Sequence, residues 1–261
     1  MFLPTTQEEV TKLGWKQLDV IIITGDTYID SYYSGAALIG KFLLYHGYTV
    51  GIIAQPDIAT DKDITRLGEP SLFWGITSGA VDSMVANYTA VKKRRKSDDM
   101  TPGGINNLRP DRAVIAYTNL IKKYFKNTCP VVIGGIEASL RRIAHYDYWD
   151  NSIRRSILLD AKADILIYGM GEGAVLALAK KLQKGTDYKN IEGICYVDSY
   201  PKKKYIDLPS FEEVRNSKHS FMEMFNIFYN EQDAKTARGL NQKYNDKFLI
   251  CNPPVKRMSQ E

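Results

Sequence analysis

Five short runs of apolar, mostly β-branched residues, separated by stretches with helical spacing, constrain this chain more than any other feature. The runs are 19–24 (DVIIIT), 48–54 (YTVGIIA), 71–76 (SLFWGI), 130–134 (PVVIG) and 164–168 (DILIY). A strand without polar alternation is buried on both of its faces. Between the first two runs, residues 35–46 carry Leu38, Phe42 and Tyr45 at helical spacing, and Gly47 offers a left-handed cap. Residues 111–125 and 172–183 are further helix candidates. Strands joined by helical crossovers make a parallel α/β sheet with helices on both faces. A chain of 261 residues, 44% of them hydrophobic, is long enough to bury such a core.

The later residues change pattern. Residues 193–197 and 204–207, with a turn at 198–201, read as a β-hairpin. Residues 211–237 read as one amphipathic helix. Residues 247–251 (KFLIC) form a short strand that Asn252-Pro253-Pro254 breaks. The expected division is an α/β domain over 1–200 and a connecting segment over 201–261.

Several function classes are disfavoured. No run approaches the roughly 18 apolar residues of a membrane helix. The first residues lack the basic and apolar regions of a signal peptide, so a cytoplasmic protein is expected. Cys129, Cys195 and Cys251 are too far apart for a CxxC, a CxxxCxxC or a disulfide framework, and His46, His145 and His219 are equally scattered. No metal site is expected within the chain. The net charge is +5, yet residues 92–126 alone hold ten Lys/Arg against three Asp. The basic excess therefore sits in that one stretch, around Lys92-Lys93-Arg94-Arg95-Lys96. It reads as a solvated segment or as a contact for phosphate or nucleic acid such as RNA.

In an open parallel sheet, ligands bind beyond the carboxyl ends of the strands. The loops expected there are rich in glycine, small hydroxyls and carboxylates. They offer Gly25, Asp26 and Asp30 after the first strand and Thr77 and Ser78 after the third. Gly134, Gly135 and Glu137 follow the fourth, and Gly169 and Glu172 the fifth. Glycines allow close approach to backbone, and N–H and hydroxyl groups supply hydrogen bonds. These ten residues are the expected ligand site, with an acidic centre and a concave pocket. The Gly169-x-Gly171-x-Gly173 spacing is not a dinucleotide fingerprint. Two arginine pairs, Arg141-Arg142 and Arg154-Arg155, flank an aromatic and acidic centre at 145–150. They suit contact with a partner or an anionic substrate, since guanidinium forks bind carboxylate and phosphate. No catalytic residue emerges: there is no Gly-x-Ser-x-Gly elbow and no Ser/His/Asp order.

Longer strings are more specific. They include FLPTT (2–6), TGDTYID (24–30), VGIIAQPD (50–57) and DSMVANYTAVKKRR (82–95). TPGG (101–104), RPDRA (109–113), IGGIEASLRRIAHYDYW (133–149), RRSILLDAKADILIYGMGE (154–172) and NPP (252–254) continue them. In these strings the chain closely resembles the N-terminal region of YgiQ-type radical SAM proteins. The resemblance implies a flavodoxin-like, cobalamin-domain-like doubly wound sheet in strand order 2-1-3-4-5. It implies a radical SAM barrel beyond it, whose CxxxCxxC motif holds a [4Fe–4S] cluster and S-adenosylmethionine. The chain stops before such a motif, so it reads as a truncated accessory domain, without radical chemistry of its own, whose partner is the missing barrel.

Cobalamin is a further implied ligand. Domains that ligate cobalt from below use Asp-x-His-x-x-Gly, whereas this chain has Asp30-Ser31-Tyr32-Tyr33-Ser34-Gly35. Tyr32 is a poor substitute for imidazole, while Gly134-Gly135 and Thr77-Ser78-Gly79 look like the side that holds the nucleotide tail. Two alternatives stay open: a stand-alone module for a nucleotide-like ligand, and an RNA-contacting domain using the 92–126 stretch.

Overall fold

The computed structural model describes residues 1–256. The chain opens with α1 (Gln7–Lys12), started by a reciprocal Thr6–Glu9 capping box. Then come β1 (Val20–Thr24), α2 (Gly35–Tyr45), β2 (Val50–Ala54), α3 (Lys62–Thr65), β3 (Phe73–Thr77) and α4 (Ser83–Asn87). A long loop leads to α5 (Ala113–Tyr124), β4 (Val131–Gly134), α6 (Gly135–Leu140), β5 (His145–Asp147), β6 (Ser152–Arg154), α7 (Ile157–Ala161), β7 (Ile165–Ile167) and α8 (Glu172–Gln183). The remainder forms β8 (Ile194–Asp198), β9 (Ile206–Leu208), α9 (Phe211–Asn216), α10 (Lys218–Asn230), β10 (Leu240–Tyr244) and β11 (Lys247–Cys251).

One nine-stranded sheet runs in the order β2-β1-β3-β4-β7-β8-β11-β10-β9. Its first five strands are all parallel, and Val20 lies between Val50 and Phe73. They are the five apolar runs of the sequence, in the expected 2-1-3-4-5 arrangement. Strand alternation sends their side chains to two cores. Ile21, Ile23, Trp74 and Ile76 pack on the face covered by α5, α6 and α7. Val20, Ile22, Phe73 and Val132 pack on the face covered by α2 and α8.

The expected hairpin of 193–197 with 204–207 does not form. β8 instead pairs antiparallel with β7 and with β11, and β9 lies at the far edge, parallel to β10. Burial explains the order. Leu249, Ile250 and Cys251 of β11 are at most 2% exposed, which demands an interior strand, whereas β9 leaves Asp207 exposed and tolerates an edge. The C-terminal hairpin that does form joins β10 to β11. The expected single helix over 211–237 breaks at Ser217, whose side chain accepts the Ser220 amide and caps a new helix. A small β5–β6 pair, not foreseen, is inserted between the fourth and fifth core strands.

Residues 201–256 therefore do more than connect. Leu249 and Cys251 join one core and Ile250 the other. Because β11 runs antiparallel to β8, it runs with β7, and residues 252–255 emerge at the carboxyl edge of the parallel strands. The Gly193 amide donates there to the Pro253 carbonyl, and Val255 packs beside Gly193 and Gly173.

Candidate ligand-binding site

A cleft of about 350 Å³ opens at the carboxyl edge and runs down between the sheet and helices α2 and α8. Its floor is Val20, Ile22, Phe73 and Val132, and its walls include Ala36 and Ile39 of α2 and Val175 of α8. Gly75 opens the floor in the middle of β3, where a Cβ would meet nothing nearer than 3.5 Å. The mouth is formed by Thr77, Gly134, Gly135, Gly169, Gly171 and Glu172. At Gly135 the backbone needs glycine: φ is +79°, and a Cβ would overlap the Thr77 hydroxyl. Among the described residues the lining holds no Lys, Arg or His.

Five of the ten expected residues thus line the cleft: Thr77, Gly134, Gly135, Gly169 and Glu172. The other five tie the neighbouring loops together. A Cβ on Gly25 would overlap the Ser78 carbonyl. Asp26 accepts the Ala80 amide at 2.6 Å and an Arg109 nitrogen at 2.5 Å. Asp30 pairs with Lys41 at 2.7 Å, which holds its carboxyl below the usual range, and it accepts the Tyr28 hydroxyl. Ser78 donates to the Val81 carbonyl. Glu137, 1% exposed, accepts the Ser83 amide and hydroxyl and the Val114 amide; burial nevertheless raises its pKa.

Of the expected acidic centre, Asp30 is paired with Lys41 and Asp26 with Arg109, while Glu137 has only neutral donors. Arg109, 1% exposed, bridges Asp26 and Asp98, the latter at 2.8 Å. It pins the 88–112 loop beneath the first and third strand ends. Its signals were its place in the basic stretch and in the RPDRA string, and nothing local shows that such an arginine turns inward. Arg141 pairs with Asp82, the N-cap of α4. Arg142 lies against the rings of Tyr168 and Phe228, 4.4 and 4.3 Å from their centres, and donates to the Ser139 carbonyl and Gln232. Arg154 binds Asp150 and Asp160, and Arg155 binds Asp160. Arg154 and Arg155 also border a wide groove of about 1430 Å³ with α9 and the β10–β11 turn.

Much of the basic stretch is exposed, yet several of its side chains make contacts within the chain. Lys92 donates to the Trp149 carbonyl and lies over the Tyr148 ring. Arg94 pairs with Asp111, Arg95 donates to two carbonyls, and Arg112 binds Asp147 and Asp150. The rings of Tyr32 and Tyr33, 72% and 80% exposed, lie tilted against each other with centres 4.2 Å apart on the loop that leads into α2.

A small cavity of about 10 Å³, room for roughly one water, is lined by Arg112, Glu137, Arg141, His145, Asp147 and Arg154 among others. His145 donates through Nδ1 to the Ile143 carbonyl, since a carbonyl only accepts, so Nε2 carries the lone pair. That Nε2 is buried without a partner. Burial pushes the imidazole down to about 4. No cluster of three or more His, Cys, Asp or Glu suited to a metal ion occurs among the described residues, and no helix there is long and apolar enough to cross a membrane.

The family model described as "Radical SAM N-terminal" matches residues 2–261. The chain belongs to this family. UPF0313 proteins of Fusobacterium nucleatum, Thermotoga maritima and Methanocaldococcus jannaschii are 57%, 52% and 48% identical to it over the whole chain. The chain spans about half the length of these curated relatives, 46%, 46% and 44%. Among solved structures, the radical S-adenosylmethionine methyltransferase TsrM from Kitasatospora setae is similar to 68% of this chain and 28% of its own, with a TM-score of 0.46 and 18% identity. The cleft thus lies within a radical SAM N-terminal domain.

Proposed function

We propose that this radical SAM N-terminal domain holds a nucleotide-like ligand, its flat apolar end seated in the cleft between α2, α8 and the sheet. The observation that carries this reading is the space over Gly75: a largely apolar cleft of about 350 Å³, entered through a glycine-rich rim. The nucleotide tail of cobalamin is one ligand of this shape. The slot and the Gly134-Gly135 rim suit that tail. The cobalt side is not matched, since Tyr32 stands where a ligating histidine would. Cobalamin is thus a candidate held by its tail, with Gly75, Gly134, Gly135 and Glu172 as the residues around it.

In this reading the additional length of the relatives supplies the barrel, the [4Fe–4S] cluster and S-adenosylmethionine. That barrel covers the carboxyl edge, where residues 252–255 already lie beside Gly173 and Gly193. A cytoplasmic setting is part of the proposal. Cys195 and Cys251 face each other across β8 and β11 as free thiols, a state that a reducing compartment preserves.

Equilibrium dialysis tests the slot with three probes: hydroxocobalamin, α-ribazole (the nucleoside of its tail) and adenosine. At least one binds the native chain, and Gly75→Val, which fills the slot from its floor, abolishes that binding while leaving the circular dichroism spectrum unchanged. Failure of all three to bind, or equal binding by Gly75→Val, overturns the proposal.

A further inference from the structure

Resting on that reading of the cleft, we infer that Glu172 selects a ligand bearing a neutral hydrogen-bond donor, a ribose hydroxyl or a ring amine, and rejects phosphate from the slot. Glu172 is the first residue of α8 and lines the cleft mouth. Its Oε2 is buried and accepts no hydrogen bond among the described residues. Every other carboxylate expected in the site has found donors: Asp26 from Ala80 and Arg109, Asp30 from Lys41 and Tyr28, Glu137 from Ser83 and Val114. Of the four, Glu172 alone keeps a buried oxygen without a hydrogen-bond donor among the described residues, in a side chain that lines the cleft mouth.

A buried acceptor without a donor is costly, and the cost disappears when a partner arrives. Among the described residues the cleft lining offers no cation to do this from within. A carboxylate accepts and does not donate, so the complementary group is an O–H or N–H. A phosphate in the same place would meet like charge in an apolar setting. The ligand class is therefore nucleoside-like: a flat ring for the slot, a hydroxyl or amine for Glu172, and any phosphate outside. Both a free nucleoside and the ribose of a cobalamin tail present this chemistry.

The test compares donors on one scaffold. Binding of adenosine, 2′,3′-dideoxyadenosine (no ribose diol) and purine riboside (no amine) is measured by calorimetry on the native chain, on Glu172→Ala and on Gly75→Val. Adenosine 5′-monophosphate reports on phosphate, and α-ribazole and hydroxocobalamin distinguish the cobalamin source from a free nucleoside. In the native chain one donor-lacking analogue binds about tenfold more weakly than adenosine, as expected for one hydrogen bond to a charged acceptor. Glu172→Ala brings the two within about twofold of each other without lowering the melting temperature, since it removes an unsatisfied group. Analogues that bind like adenosine, or a preference that survives in Glu172→Ala, overturn the role of Glu172 while slot binding, still blocked by Gly75→Val, stands. If no probe binds the native chain, the slot reading fails and this inference with it.

Discussion

Arg109 shows how much one side chain organises here. It is 1% exposed and joins Asp26 of the first loop to Asp98 of the basic stretch. Removing one member of such a buried pair strands the other charge, at a cost of about 3–5 kcal/mol. Arg109→Met is expected to lose about that much in urea unfolding, and Arg109→Lys to recover only part of it, because one ammonium lacks the planar fork. His145 gives a pH-dependent expectation. Its folded pKa of about 4 lies below the 6.5 of the exposed side chain. The unfolded chain therefore takes up the proton first as pH falls. Its contribution is fully present above 6.5 and is lost progressively from 6.5 down through 4, about 3 kcal/mol in total. Arg112, Arg141 and Arg154 border the same cavity and oppose a charged imidazole, while Glu137, Asp147 and Asp160 favour one. Stability measured against pH should show a shallower slope between 6.5 and 4 in His145→Gln than in the native chain. Equal slopes would mean that His145 is not held neutral by its burial.

At the scale of elements, the loops at the carboxyl edge are set by close backbone approach as much as by hydrogen bonds. Gly25 and Ser78 bring the ends of β1 and β3 together so tightly that no Cβ fits. Gly25→Ala should force the two loops apart and cost about 1–3 kcal/mol. Gly35, at the first position of α2, has open space around its Cβ site. Gly35→Ala is expected to be neutral or to raise stability by up to about 1 kcal/mol, since alanine favours the helix. Thermal melts of the two variants distinguish a steric glycine from a merely permissive one. A Gly25→Ala protein as stable as the native chain would remove the case for close loop packing. The break at Ser217 belongs to this scale too: a capping hydroxyl outweighs a continuous amphipathic pattern, so two helices form where one is expected.

At the scale of the molecule, the sheet does not end at residue 200. β9, β10 and β11 complete it, and Leu208, Val214, Met224, Leu240, Tyr244 and Leu249 are buried in the same core as α5 and α7. A chain ending at residue 200 would expose β8, including Cys195 and Tyr196, as an unprotected edge. It is expected to aggregate or to melt without cooperativity, whereas the chain of 261 residues unfolds in one transition followed alike by far-UV circular dichroism and tyrosine fluorescence. A folded, monomeric 1–200 chain would show instead that the later strands are an appendage.

The sequence by itself determined the five core strands, their parallel order and the edge at which the loops gather. Short apolar runs bounded by turn residues and alternating with helical stretches fit strands buried on both faces, and chirality leaves few ways to connect them. Its long strings also pointed to the family. Long-range burial decided the rest. Whether a carboxylate faces a ligand or a partner depends on which distant donor reaches it. Asp26 and Glu137 were taken by Arg109, Ser83 and Val114 across many residues, and Glu172 was not. The place of β11 between β8 and β10 was set by the same rule: the strand apolar on both faces takes the interior of the sheet, wherever it stands in the chain.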